Sequence, residues 1–142
     1  MRQYSVAVAS LAIDAPVKWT DNLIAHHSLP DVRSKSRGIA RGISWAGLVR
    51  IALIRELHRS LGCGVREAVD LADRLLRAPD SAVRLGRWST IGFERREFEE
   101  ELQRRLAEAL ETAPRPRRGR PARRLVRANA QPAGGQNEAG RR

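Results

Sequence analysis

Nine residues near the C-terminus, Pro114-Arg115-Pro116-Arg117-Arg118-Gly119-Arg120-Pro121-Ala122, carry the most explicit chemistry in the chain. At their centre is Arg-Gly-Arg-Pro. The minor groove of A/T-rich DNA is narrow, offers acceptors on its floor and concentrates negative potential that attracts arginine. Arg118 and Arg120 can lie along such a groove in opposite directions. Gly119 has no Cβ, so its backbone can approach the floor. Pro121 fixes φ, and Pro114 and Pro116 bias the approach to an extended, polyproline-like chain. Arg115, Arg117, Arg123 and Arg124 fall where phosphates would run and would add salt-sensitive affinity.

The motif Arg117-Arg118-Gly119-Arg120-Pro121 resembles the core of an AT-hook. A second reading stays open beside it. The chain has 25 Arg and 2 Lys, and such a bias produces Arg-Gly-Arg-Pro by chance within a basic tail. Both readings expect the tail to touch nucleic acid.

Charge separates the tail from the rest. Net charge is +11 over 142 residues. Residues 1–111 hold 18 basic and 15 acidic side chains, whereas residues 112–142 hold 9 and 1. The body is nearly balanced and the tail is the cation. A hydrophobic share of 42% with 4% aromatics predicts one small core of Leu, Ile, Val and Ala. Cys63 is single, so no intramolecular disulfide is expected. No apolar run approaches the ~20 residues of a membrane span.

The elements that must carry this chemistry are mainly α-helical. Residues 5–13 read as a short helix of small apolar residues. Asp14-Ala15-Pro16 breaks it, with Asp14 as an N-cap and Pro16 in the first turn of a helix over 16–28. Trp19, Leu23 and Ile24 face inward there; Lys18, Asp21, Asn22 and His26 face outward. Residues 31–43 lack a helical period and carry Arg33, Lys35, Arg37 and Arg41 without an intervening acid after Asp31. They read as a hairpin or wing, with Gly38 and Gly42 marking turns. Ser44 caps a helix over about 45–61 that is apolar on most faces and central to the core. Gly62-Cys63-Gly64 stops it, and 65–77 form an amphipathic helix. Residues 82–93 alternate weakly, as one or two short strands would. Residues 94–111 form a charged helix with Phe98, Leu102, Leu106, Ala109 and Leu110 as its stripe; it fits either pairing with a second copy or a lid on the core. From Ala113 onward the composition predicts disorder.

Helix-turn-helix, wing, helix, helix is an order that resembles the winged DNA-binding domain of the MerR family over residues 4–77. The resembling residues run from Val8-Ala9-Ser10-Leu11-Ala12-Ile13-Asp14 through Trp19-Thr20-Asp21-Asn22-Leu23. Ile43-Ser44 then opens the core helix, and Leu57 to Ala68 match the last hinge. The chain departs from the family at Asp14, where Gly is frequent, and at Thr20, where an apolar residue is usual. His26-His27-Ser28-Leu29-Pro30 replaces an Arg-Tyr-Tyr-like element. The resemblance implies a winged helix-turn-helix domain (4–77), a connector (78–93), an amphipathic helix (94–111) and a basic tail (112–142). It implies that the second helix enters the major groove, with Val17, Lys18, Asp21, Asn22 and His26 reaching bases or phosphates. Arg33, Lys35, Arg37 and Arg41 would hold the backbone from the wing.

The expected function is that of a bacterial transcriptional regulator on double-stranded DNA, cytoplasmic and at the nucleoid. Two alternatives use the same residues: an antitoxin-like subunit that binds a partner protein and represses its own gene, and a nonspecific nucleoid architectural protein. His26, His27, His58 and Cys63 show no metal-ligand spacing, so no metal or cofactor is expected. No phosphate-cradling glycine loop, apolar carboxylate pair or nucleophile motif occurs, so no enzyme is expected. RNA binding is the weaker reading, since aromatic platforms for stacking are sparse.

Overall fold

The computed structural model describes residues 2–33 and 39–114. Lys35 and Arg37 of the wing lie outside the described residues. So do all the tail positions singled out above, Arg115, Arg117, Arg118, Gly119, Arg120, Pro121, Arg123 and Arg124.

Five helices and two small antiparallel sheets make up the described chain. Helix α1 spans Val6–Ala12 and α2 spans Val17–His26. Strands β1 (Val32–Arg33) and β2 (Gly42–Ile43) pair antiparallel. Helices α3 (Trp45–Leu61) and α4 (Val65–Arg77) follow. Strands β3 (Ala82–Leu85) and β4 (Ser89–Gly92) form the second sheet, and α5 spans Arg95–Thr112.

Helix α3 is the axis of the core. Leu48, Ile51, Leu53 and Ile54 are essentially sealed from solvent, and α4 packs against α3 through Ala68, Ala72 and Leu75. Each such leucine or isoleucine contributes about 1.5–3 kcal/mol by leaving water. The reversal between the two helices rests on Gly62, whose φ of 64° is a left-handed conformation that favours glycine. His58 Nδ1 lies 2.7 Å from the Cys63 carbonyl. A carbonyl only accepts, so the imidazole donates and closes the turn. Arg50 bridges to Asp73 at 2.8 Å and pins α3 to α4.

Helix α1 has only seven residues, too few to stand alone. Its small side chains let α5 lie close along it, and α2 packs on another side. Leu102, Leu106 and Ala109 of α5 are buried within the chain. Leu110, expected in that stripe, is instead 38% exposed. The outer face of α5 is braced by ion pairs one turn apart. Hydrogen bonding to Arg104, then to Arg105, pushes the Glu101 carboxyl down to about 2. An unfolded glutamate titrates near 4.3. The stabilisation is therefore complete above that value, fades as pH falls below it, and is gone once pH has fallen through about 2. A carboxyl-carbon NMR titration of Glu101 should give a midpoint near 2; a midpoint near 4 would refute the pairing.

The structure corrects three local expectations. Asp14 does not cap α2: Pro16 holds the cap position, and Asp14 sits at φ 51° within the turn. That left-handed conformation favours glycine, and aspartate is among the few other residues that tolerate it. Gly42 does not mark a turn but lies buried within β2. Helix α2 ends at His26, before the expected boundary, because the chain turns extended at His27.

Candidate nucleic-acid interface

Helix α2 owes its orientation to an inner face that is partly polar. Thr20 is fully buried and Leu23 is 3% exposed. The Thr20 hydroxyl is hydrogen-bonded to the buried Ser10 hydroxyl of α1, 2.8 Å away. Ser10 Oγ also reaches the Val6 carbonyl at 2.7 Å. Two buried polar groups thus satisfy each other and fix the rotation of α2 about its axis. Trp19 lies half-buried beside them, with the Arg55 guanidinium 5.0 Å over its ring and His58 stacked at 6.4 Å. Arg55 also donates to the Asp14 carbonyl, so the α1–α2 turn is held from α3.

With Thr20 and Leu23 turned inward, Val17, Lys18 and Asn22 stand exposed on the opposite side, and Asp21 is half-exposed. Val17 and Lys18 occupy the first turn. His26 lies two turns on, about 13 Å along the axis. It shares a hollow of about 270 Å³ with Trp19, Asn22, Leu23, His27 and Val65. The predicted face therefore divides into a leading end with Val17, Lys18 and Asp21 and a trailing end with Asn22 and His26.

The wing root is built against the same helices. The Asp31 carbonyl accepts from the Ser44 hydroxyl (2.9 Å) and the Ser44 backbone N–H (3.1 Å). Ser44 Oγ in turn accepts from Gly47 N–H and caps α3. Tyr4 exchanges two backbone hydrogen bonds with Ile43, adding the N-terminal segment to the outer edge of β2. Gly47 makes this approach feasible: a Cβ there would sit 2.6 Å from the Asp31 carbonyl oxygen. Gly47→Ala should destabilise the fold by about 1–2 kcal/mol, the clash outweighing alanine's better helix propensity. Urea unfolding checks this, and a stabilised variant would refute it.

One side-chain pair joins wing and helix. Arg41 donates to Asp21 Oδ1 at 2.7 Å and to the Asp21 carbonyl at 3.2 Å. Arg41 is mostly covered, at 21% side-chain exposure, while Asp21 keeps 50%. Both were read as separate DNA contacts; the structure makes them one unit. Asp21's carboxylate is neutralised by the wing. A groove of about 400 Å³ lined by Ser5, Val6, Asp21, Ala40 and Arg41 runs past this pair. Arg33 stands exposed on β1.

Sequence reasoning missed the buried Ser10–Thr20 pair. The signal was available: Thr20 is three residues from Leu23, on the same face of α2. It also missed Trp88, which stands 86% exposed on the second hairpin. No helix among the described residues is long and apolar enough to cross a membrane. Comparison with known protein families, curated proteins and solved structures finds no match to this chain.

Proposed function

We propose that the chain is a DNA-binding protein, of the transcription-regulator kind, whose residues 4–77 act as a winged helix-turn-helix. The observation that carries this reading is the fixed pairing of an exposed helix face with a basic hairpin. The Arg41–Asp21 contact ties the residue before β2 to α2 at 2.7 Å. Around it, Val17, Lys18, Asn22 and Arg33 are exposed. Lys18 suits guanine or phosphate, and Asn22 suits adenine. A helix in the major groove with a hairpin on the adjoining phosphates is the docking this arrangement would serve.

The tail is the second part of the reading. Residues 112–142 carry nine of the 27 basic side chains against one acid. Tethered to a folded reader, an Arg-Gly-Arg-Pro hook would act at high effective concentration on nearby minor groove. In this reading the helix supplies site choice and the tail supplies affinity and an A/T bias.

The test is capture of sheared genomic DNA by the full chain and by residues 1–112, followed by sequencing. The expected result is a shared set of enriched sites, with extra enrichment of A/T-rich flanks for the full chain alone. Uniform recovery of all fragments by both would remove the site-reading role and leave a nonspecific binder.

A further inference from the structure

Trp88 is the most exposed large apolar side chain among the described residues, at 86%. Its exposure does not come from a loosely held segment. Val83, Leu85, Ile91 and Phe93 of the same hairpin pack on the core, and Phe93 meets Phe98 edge-on at 5.7 Å. Ser81 is buried at the base, where its carbonyl accepts from Phe93 N–H. Gly86, at φ 59°, makes the tight reversal that lifts the next two residues, Arg87 and Trp88, away from the core.

Three guanidiniums lead up to this indole. Arg74 of α4 donates to the Arg84 carbonyl at 3.1 Å, and Arg84 donates to the Arg87 carbonyl at 2.9 Å. Arg87 lies 4.9 Å over the Trp88 ring. Each guanidinium is held by a backbone carbonyl or a π-face, neither of which cancels its charge. Residues 81–93 contain no acid. Of the nearby carboxylates, Asp73 pairs with Arg50 and Arg77, whereas Asp80 accepts from Ala82 N–H and keeps its charge at the base of the hairpin. The result is an ordered row of three positive charges ending in an open aromatic face.

We propose that this hairpin tip is a site for an unpaired nucleic-acid strand, with phosphates along Arg74, Arg84 and Arg87 and a base stacked on Trp88. A strand supplies both features at their natural adjacency, a row of anions and a flat π-face beside it. Stacking on an indole is tolerant of base identity, and arginine beside the ring strengthens it. Bases within a duplex are already stacked on both faces and offer no partner to Trp88. The site uses none of the residues assigned to the major-groove face, so the two stand or fall separately.

The test titrates the full chain with an oligothymidylate of about 12 nucleotides and with an A/T-rich duplex, following tryptophan emission. The oligothymidylate should quench part of the emission. Trp88→Ala should abolish that quenching and weaken oligothymidylate binding about tenfold, while duplex affinity stays within about twofold. Trp88→Phe should restore most of the affinity, since a ring remains. Trp19 and Trp45 are partly buried in the core, so their unchanged emission certifies the fold. Unchanged oligothymidylate affinity in Trp88→Ala would overturn the proposal. So would a polyglutamate peptide that quenches Trp88 as strongly, because the partner would then be an acidic protein surface. Loss of duplex and single-strand affinity in equal measure would overturn the preference for an unpaired strand.

Discussion

Deleting residues 113–142 should lower affinity for A/T-rich duplex DNA by about 100-fold near ~0.1 M salt and flatten its salt dependence. The size follows from the arginines assigned to phosphates. Arg115, Arg117, Arg123 and Arg124 are four such contacts, and each phosphate neutralised contributes about 0.9 to the slope of log K against log salt. The truncated chain should therefore lose about 3–4 units of slope while keeping its ranking of duplex sequences. Equal slopes for the two chains would remove the tail from the complex altogether. A finer comparison isolates Arg118 and Arg120. Replacing both by Lys keeps the charge but not the planar guanidinium that fits the narrow groove. A hook loses its preference for A/T over G/C duplex, whereas a plain cationic tail binds both as before. The arginine-rich composition makes this comparison decisive, because letters alone do not separate the two.

Helices and reversals were readable in the chain because their causes are local. Ser44 followed by a long apolar run announced α3, and Gly62-Cys63-Gly64 announced its end. The alternation over 82–93 became β3 and β4, with Val83, Leu85, Ile91 and Phe93 turned toward the core. What escaped depends on contacts distant in sequence. Asp14 has the chemistry of a cap, yet the close approach of α1 to α2 needs a left-handed residue at that point. Thr20 looked like a departure from an apolar position until Ser10 of α1 supplied its hydrogen-bond partner. The place of α5 along α1 follows from the small side chains of α1, a complementarity that periodicity within α5 does not register. The candidate site was legible as residue types on α2 and the wing. That Asp21 and Arg41 act as a pair was not, since twenty residues separate them. Trp88 shows the same limit, because the pattern assigns strands but says little about the tip between them.

Arg41→Ala should weaken duplex binding about tenfold, more than the loss of one charge explains, and the excess should vanish when Asp21 is also changed. The wild-type contact does two things at once. It ties the residue before β2 to α2, and it neutralises a carboxylate that is 50% exposed. Removing Arg41 changes the face by one charge, from a neutral pair to a lone carboxylate, and it also releases that carboxylate and the wing from the positions their contact fixes. Asp21→Asn deletes the anion alone and should strengthen binding about threefold, with a steeper salt slope. In that background Arg41→Ala should cost only about threefold, the share of a single cation. Stability tells this apart from simple unfolding. A half-exposed ion pair contributes about 0–1 kcal/mol, so melting should shift by only a few degrees in any of the three variants. The decisive quantity is the coupling between the two positions in DNA affinity. Additive effects would mean that the contact does not place the wing for binding, and unchanged DNA affinity in both single variants would withdraw the α2 face as the reading surface. Fixed charges act additively on the phosphates, so coupling in DNA affinity reports what the Arg41–Asp21 contact adds beyond charge, the placement of the wing against α2.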